Sequence, residues 1–294
     1  MDNQYLLVIS VPALLLLMVI EMVYYRLHPD ERTGGYSARD TAASLAVGIG
    51  GSLTDVAYKT VALLMFVGIY ELSPFRVHVT WLTFPLILIA QDFLYYWMHR
   101  EHHLVRVLWA AHVVHHSSLK FNFSTSARQP WTGLTSQFFY IPLAFAGVPA
   151  WTIFLCSSVI MLSQFWIHTE RFPRLPDRIE HVINTPSNHR VHHASQGDYL
   201  DRNFGGIFMI WDRVFGTYAH ETGRPIYGLT KNIDTFNPLR IATHEYGAIA
   251  RDMKLAAGWR QRLGVLVNRP GWFEEQRARA AGAGANRSAQ NSLS

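Results

Sequence analysis

Cysteine is almost absent from this sequence: Cys156 is the only one among 294 residues, and it lies in an apolar stretch. A single thiol excludes a framework of disulfide bonds, and it also excludes a zinc site built from cysteine ligands. Any metal ion that this chain binds must therefore be held by other side chains.

Charged side chains are also scarce. They make up 16% of the residues, whereas an average soluble domain contains roughly 25%. This shortfall favours a membrane protein. The formal net charge is +5, and the basic residues are scattered except in an Arg-rich C-terminal tail. A basic chain can contact nucleic acid or an anionic membrane surface, and the scattered pattern indicates membrane lipids and no nucleic acid.

Several apolar runs are present, and the first is about the length of a spanning helix. They lie at residues 5–25, 41–70 and 81–98, with a final pair at 134–146 and 150–167. The pair is broken at Gly147, Val148 and Pro149, which predicts a tight helical hairpin. No Lys or Arg precedes the first run and no cleavage site follows it, so it is predicted to be a retained anchor. The sequence thus predicts an all-α integral membrane protein with about four transmembrane helices.

Basic residues in the loops predict how these helices are oriented. Lys and Arg occur in residues 26–40, in 99–132 and after 168, which places these segments on the cytosolic side and the N-terminus outside. The membrane would be a bacterial inner membrane or its endoplasmic reticulum equivalent. From about Glu274 onward Arg, Ala, Gly, Ser and Asn predominate, which predicts a disordered basic tail.

Histidine is unusually frequent: the chain has 15, and 11 of them lie between His99 and His193. There is an H-x3-H at 99–103 and an H-x2-H-H at 112–116 and again at 189–193, with His168 between the last two. Residues three or four apart share one face of a helix, so each cluster can direct its imidazoles into one volume. Thr185 and Pro186 predict a helix start just before the third cluster. Crowded imidazoles without a metal would leave buried nitrogens unpaired, so the clusters predict a metal site on the cytosolic face.

The number of histidines favours two metal ions. The nine candidate ligands are His99, His103, His112, His115, His116, His168, His189, His192 and His193. A zinc hydrolase usually needs only three protein ligands and a water, and haem needs axial ligands rather than helical triplets. Adjacent histidines on a helix point about 100° apart, so one turn can serve two neighbouring ions. Imidazole suits Fe, Zn, Cu and Ni. Two Fe ions that accept O₂ between them fit best, and Zn can replace them in purified protein.

Carboxylates near the clusters are candidates to orient the imidazole N–H groups, because neutral ligands leave the metal charge uncompensated. The candidates are Asp92, Glu101, Glu170, Asp198, Asp201 and Asp212. Solitary histidines elsewhere, such as His28 and His220, are more typical of a protein surface.

The same residues resemble a known family. The run Asp92-Phe93-Leu94-Tyr95-Tyr96-Trp97-Met98-His99-Arg100, followed by His103 and the two H-x2-H-H boxes, is similar to the fatty acid hydroxylase/sterol desaturase superfamily of membrane di-iron enzymes. Residues 165–170, 184–187, 203–206 and 210–218 most resemble its alkylglycerol monooxygenase-like bacterial members. The similarity covers about residues 40–228.

The resemblance implies four transmembrane helices beneath a cytosolic helical cap that holds the metals. The chain then divides into an N-terminal anchor and loop (1–40), a catalytic domain (41–230) and a C-terminal region with the basic tail (231–294). The family pattern also implies that one iron is bound by His99, His112, His115, His189 and His192. It implies that the other is bound by His103, His116, His168 and His193. Gln164 stands where some members have a further histidine, and His102 and His181 fall outside the pattern.

The function implied by the resemblance is O₂-dependent hydroxylation of a lipid C–H bond, with electrons from an external donor. Alkylglycerol monooxygenase uses tetrahydrobiopterin, but no residue here indicates a pterin site, so a reduced pterin and an electron-donor protein both stay open. A desaturase or carotenoid-type hydroxylase is an alternative on the same site. A metal-handling membrane protein is a distant alternative, because few ionisable residues lie in the spans; they are chiefly Glu21, Asp55 and Lys59.

Overall fold

The computed structural model describes residues 3–30 and 33–291, and these form helices and loops without a β-strand. The predicted all-α class is therefore confirmed. The α-helices in these ranges are α1 (Asn3–Leu27), α2 (Ala38–Leu72), α3 (Thr83–Leu104), α4 (Arg106–His116), α5 (Phe123–Ser126), α6 (Leu134–Gln137), α7 (Ile141–Phe145), α8 (Ala150–Phe165), α9 (Asp177–Val182), α10 (Pro186–His192), α11 (Ile210–Val214), α12 (Pro238–Leu255), α13 (Trp259–Val267) and α14 (Trp272–Asn291). Short 3₁₀ turns lie at Phe138–Tyr140 and Gly197–Tyr199.

α2 is the one helix among the described residues that is long and apolar enough to cross a membrane. Only 11% of its most apolar window is buried, and Leu53 and Val56 on its outer side are 74% and 70% exposed. Soluble proteins rarely expose so large an apolar surface, so α2 indicates association with a membrane.

The prediction of about four spans is not confirmed by the same criterion. α3 carries Gln91 and Asp92 in its middle and ends in polar residues. α8 has 16 residues, which is about 24 Å of helix and shorter than a hydrocarbon core of roughly 30 Å. The prediction for residues 5–25 lies partly outside the residues whose side chains the structure describes.

α2, α3, α7 and α8 pack around one apolar core. Its fully buried members include Phe66 of α2, Ala144 of α7, and Ile153 and Cys156 of α8. The break between α7 and α8 falls at Gly147, whose φ of +85° suits glycine. The predicted hairpin at this position is confirmed, and it returns α8 along α3 toward the histidine clusters.

Two glycines of α2 let a loop pack directly on the helix. A Cβ at Gly48 would overlap the carbonyl oxygen of Ala127, and a Cβ at Gly50 would overlap the ring of Trp131. This close approach fixes residues 127–131 against α2. The segment includes Arg128, whose carbonyl contacts one of the clustered histidines.

In the C-terminal region, α12 packs against α2 and α4. The Asn237 side chain caps the first turn of α12. Residues 272–291 form α14. Ala, Arg, Glu and Gln are strong helix formers, and Phe273 is buried against Ala110 and Val265.

Candidate metal centre

The predicted ligands converge from four parts of the chain. They lie at the end of α3, along α4, in the turn after α8, and along α10 and its C-cap. α10 begins where it was predicted, with Thr185 as the N-cap and Pro186 in the first turn. Since α3, α4 and α10 each present a helical face, residues distant in sequence meet in one volume.

All nine histidines fall into two neighbouring groups, and within each group the ring nitrogens lie within 4.8 Å of one another. The five-histidine group consists of His99, His103, His112, His116 and His192. The four-histidine group consists of His115, His168, His189 and His193. The groups adjoin: the rings of His116 and His193 are stacked, with centroids 4.4 Å apart.

This division differs from the one that the family pattern implied. Histidines four residues apart stay together, as with His112 and His116 or with His189 and His193. Histidines three residues apart separate, so His115 joins the other group. A step of four residues advances about 400° around a helix and a step of three about 300°, so rings at these two spacings point in directions about 100° apart.

Close nitrogen–nitrogen distances mark both groups. In the five-histidine group the Nε2 atom of His112 lies 2.9 Å from that of His99 and 3.0 Å from that of His116. In the four-histidine group the Nε2 atom of His168 lies 3.1 Å from that of His115 and 3.0 Å from that of His189. Neutral rings cannot satisfy one another completely in such clusters, because each ring has only one proton to donate.

Three further ring nitrogens have no hydrogen-bond partner among the described residues. They are the Nε2 atoms of His103 and His192 in the five-histidine group and the Nδ1 atom of His189 in the four-histidine group, and all three are buried. A buried polar atom without a partner is costly, and a metal ion at the centre of the group would remove that cost. The donor set therefore fits a metal ion.

Burial lowers the pKa of all nine imidazoles, and like charges on neighbouring rings lower most of them further. The pKa of His115 falls to about 4 and that of His192 to about 3. The pKa values of the other seven fall well below 6.5. The rings are thus neutral at physiological pH, which is the form that binds metal ions.

Backbone carbonyls orient four of the rings through Nδ1. The acceptors are Phe204 O for His99 (2.9 Å), Arg128 O for His115 (3.2 Å), Gln164 O for His168 (2.7 Å) and Arg202 O for His192 (3.0 Å). A ring that donates its Nδ1 proton keeps a lone pair on Nε2. The Nε2 atoms of these rings are therefore the ones available to bind a metal ion.

Among the carboxylates predicted to orient the ligands, only Asp201 lies beside a ring, with its Oδ1 atom 3.4 Å from His103 Nδ1. Asp92 accepts hydrogen bonds from the Ile207 and Phe208 amides and from Trp211 Nε1. Glu101 forms no side-chain hydrogen bond or ion pair with the described residues.

Of the remaining predicted carboxylates, Asp198 is exposed, and Glu170 and Asp212 lie one step further from the rings. Glu170 accepts from the Gly34 amide at 2.6 Å. Asp212 accepts from the amides of Phe204 and Gly205. Asp212 is thus linked to a ligand only indirectly, through the Phe204 carbonyl that holds His99.

The two histidines outside the family pattern also lie outside both groups. His102 is buried; its Nδ1 bonds to the Met98 carbonyl at 2.7 Å, and its Nε2 lies 3.2 Å from Thr135 Oγ1. His181 is exposed at the end of α9.

The segment that holds the nine histidines matches a known family. Residues 84–217 match the family described as Fatty acid hydroxylase. Residues 84–217 form a fatty acid hydroxylase domain. The superfamily expected from the histidine boxes is confirmed.

Curated relatives of the fatty acid hydroxylase domain extend the match over more of the chain. Alkylglycerol monooxygenase from Homo sapiens is 33% identical over 269 residues, which is 90% of this chain and 59% of the relative. The protein of that name from Xenopus tropicalis is 37% identical over 240 residues, covering 79% of this chain and 52% of the relative. Lathosterol oxidase from Mus musculus is 28% identical over 153 residues, covering 50% of this chain and 49% of the relative. The chain thus spans about half the length of these relatives. No solved structure matches it.

Sequence reasoning missed the carbonyl acceptors of the hydroxylase domain, because every residue carries a carbonyl and none is distinctive. A partial signal was available in residues 201–206. Asp201 and Asn203 adopt positive φ values of 55° and 57°, and Asp and Asn are the non-glycine residues that tolerate this conformation best. A turn of this kind directs its carbonyls in unusual directions, here toward His99 and His192.

Proposed function

We propose that this chain is a multi-pass membrane oxygenase that uses two iron ions and O₂ to hydroxylate a C–H bond of a lipid. The observation that carries the proposal is the convergence of nine neutral imidazoles into two adjoining groups within a fatty acid hydroxylase domain. The proposed arrangement has about four transmembrane helices and places both groups on the cytosolic face, as the basic loop residues indicate. The proposed catalytic unit is residues 41–230.

An ether lipid is the proposed substrate class. Relatives named alkylglycerol monooxygenase match 79–90% of this chain, and their name gives an oxygenase reaction on an alkylglycerol. A second candidate is sterol desaturation, which the similarity to lathosterol oxidase over half of the chain supports. Both reactions would use the same histidine groups.

The number of imidazoles supports iron rather than zinc. A catalytic zinc site usually has three protein ligands and a water, whereas the nine rings here form a group of five and a group of four. These numbers exceed what a zinc hydrolase needs.

When bound, two iron ions would supply the activation of O₂ and the oxidation of the substrate C–H bond. The balanced reaction is R–H + O₂ + 2e⁻ + 2H⁺ → R–OH + H₂O. A reduced pterin or an electron-donor protein would supply the two electrons.

Aromatic side chains shield the histidines from water. Phe121 stacks on His168 with ring centroids 5.5 Å apart, and Tyr227 stacks on the other face of Phe121 at 4.9 Å. Trp109 covers the other group, at 5.1 Å from the His103 ring. These side chains keep the centre in an apolar environment, which keeps the imidazoles neutral and protects a reactive centre from solvent.

The ionisable residues of the spans do not support the metal-handling alternative. Lys59 pairs with Asp55 at 2.6 Å on α2. The Glu21 carboxylate accepts hydrogen bonds from Tyr36, Phe123 and Thr169. A transport path requires a series of ionisable groups along it, and these residues are instead engaged in fixed local contacts.

Product analysis tests the proposal. Purified protein loaded with iron is supplied with a reductant, ¹⁸O₂ and a panel of alkylglycerols, sterols and fatty acids. The expected result is about two iron ions per chain and one ¹⁸O atom in an alcohol formed from an alkylglycerol. A C=C bond without ¹⁸O in the product supports the desaturase candidate. Tightly bound iron without O₂-dependent product, or exchangeable zinc alone with no O₂ consumption, contradicts both.

A further inference from the structure

A short loop, residues 201–206, contacts the five-histidine group through the Nδ1 atoms of its rings. Its Phe204 carbonyl accepts a hydrogen bond from His99 Nδ1 at 2.9 Å, and its Arg202 carbonyl accepts from His192 Nδ1 at 3.0 Å. The orientation of His99 on α3 and of His192 on α10 therefore depends on two carbonyls of the same loop.

Asp201 faces a third ring of the same group. Its Oδ1 atom lies 3.4 Å from His103 Nδ1, and its side chain is 52% exposed while that of His103 is 7% exposed. The acceptors in the four-histidine group are different, namely the carbonyls of Arg128 and Gln164. Among the described residues, the 201–206 loop thus serves one group and not the other.

Asn203 holds the middle of the loop. Its side chain is fully buried; Nδ2 donates to the carbonyls of Asn188 and Ala219, and Oδ1 accepts from the Ala219 amide at 2.9 Å. The backbone of Asn203 has a φ of 57°. Its amide side chain therefore holds in place a turn that most residues would not adopt.

Asp212 holds the end of the loop. This fully buried carboxylate accepts from the amides of Phe204 and Gly205 at 2.8 and 2.7 Å, and from Thr217 Oγ1 at 2.6 Å. A Cβ at Gly205 would overlap the carbonyl oxygen of Phe208, so the chain is closely packed here. Asp212 binds the amide of Phe204, and the carbonyl of the same residue orients His99.

We infer that Asn203 and Asp212 are positioning residues for the five-histidine group alone. They hold the two carbonyls that fix the tautomers of His99 and His192, and they thereby raise the affinity of this group for a metal ion without touching it. The inference rests on the proposed function insofar as it requires the group to bind a metal. Outer partners of ligating histidines typically change metal affinity by about 10–100-fold when they are replaced.

Titration of the metal-free protein with Co²⁺ alone tests this inference, with visible absorption reporting the occupancy of each group. His99→Ala and His168→Ala assign the signals to the five-histidine and four-histidine groups. Asp212→Asn and Asn203→Gly should each weaken Co²⁺ binding to the five-histidine group by about tenfold or more. Binding to the four-histidine group should not change. Glycine at position 203 retains the positive φ and removes only the amide contacts.

Two further variants separate positioning from general loss of stability. Asp201→Asn alters an exposed side chain that is not needed for folding, and it should weaken the same group by a smaller factor. Phe66→Leu lies in the apolar core away from the loop, so it should lower the unfolding temperature and leave both Co²⁺ affinities unchanged.

The inference is wrong if the variants at 203 and 212 weaken both groups equally, or weaken neither. Should Asp212→Asn fail to fold, Asn203→Gly and Asp201→Asn decide the outcome in the same way. A wild-type chain that binds a single Co²⁺ contradicts the two-metal proposal separately. If only one Co²⁺ binds, a tenfold loss of affinity at that site in the variants at 203 and 212 still supports the role of the loop. An unchanged affinity in these variants overturns the inference.

Discussion

The two histidine groups differ in what holds them. The five-histidine group relies on the 201–206 loop, whose own support comes from α10, α11 and other loop residues. The four-histidine group relies on carbonyls that belong to elements packed on the long helices. One of these belongs to Arg128, whose buried guanidinium donates to Asp40 Oδ1 at 2.8 Å and to Ser44 Oγ at 3.1 Å, both on α2.

A second connection ties the four-histidine group to α1. Thr169 follows His168 directly, and its hydroxyl donates to the buried carboxylate of Glu21. The same carboxylate accepts from Tyr36 and from the Phe123 amide. The four-histidine group is therefore coupled to the apolar helices and the five-histidine group to a loop, so changes in these two supports should affect different groups.

Removing a ligand should give the largest effect. His115→Ala deletes a ring of the four-histidine group, and we expect loss of that ion and of activity while the protein still inserts into membranes. His112→Ala is the matched variant in the five-histidine group and should retain the opposite ion. Iron content and lipid oxidation are measured on both proteins. Turnover at the wild-type rate in His115→Ala would refute its assignment as a ligand.

Acid should destabilise the metal-free protein through both groups. The folded-state pKa is lowered from 6.5 to about 4 for His115 and to about 3 for His192, so the unfolded chain takes up protons first. The stability from these neutral rings is fully present above about pH 6.5 and is lost as the pH falls toward those values. As the pH falls from 6.5 to 5, each ring should lower the free energy of unfolding by about 2 kcal/mol, since one pKa unit corresponds to about 1.4 kcal/mol.

Thermal unfolding in detergent at several pH values measures this loss. His115 and His192 belong to different groups, so the loss of stability at low pH should come from both groups. Bound metal should reduce this loss in both. An unfolding temperature that is the same at pH 7.5 and pH 5 contradicts the prediction.

The helical support of the four-histidine group can be broken at Asp40. Asp40→Ala leaves the Arg128 guanidinium buried without its carboxylate, and loss of one partner from a buried ion pair costs about 3–5 kcal/mol. The exposed pair of Asp177 and Arg174, at 2.6 Å, provides the control. Asp177→Ala should cost less than about 1 kcal/mol. Equal losses in the two variants would show that Arg128 does not need its partner.

The sequence predicted which histidines meet but not how they divide. Spacings of three and four residues both place rings on one helical face, so His115 and His116 were equally compatible with either ion. The packing of α4 against its neighbours decides between them, and packing is a tertiary property.

The orienting groups were harder to predict for a different reason. Carboxylates are visible in a sequence and were therefore chosen, whereas the structure uses carbonyls such as those of Arg128 and Phe204. Asp212 was predicted to orient a ring, whereas its carboxylate contacts the backbone amides of Phe204 and Gly205.

The smallest expected effects give the most direct test of the two supports. Thr169→Val removes one hydrogen bond from Glu21 while the bonds from Tyr36 and Phe123 remain, so the cost should be about 1–2 kcal/mol. Thr217→Val removes the corresponding hydroxyl that donates to Asp212 at 2.6 Å. Thr169 adjoins His168, so Thr169→Val should slightly lower the Co²⁺ affinity of the four-histidine group. Thr217 supports the 201–206 loop, so Thr217→Val should slightly lower the Co²⁺ affinity of the five-histidine group. Similar shifts in both groups from either variant would mean that helices and loop support the metal centre as one unit.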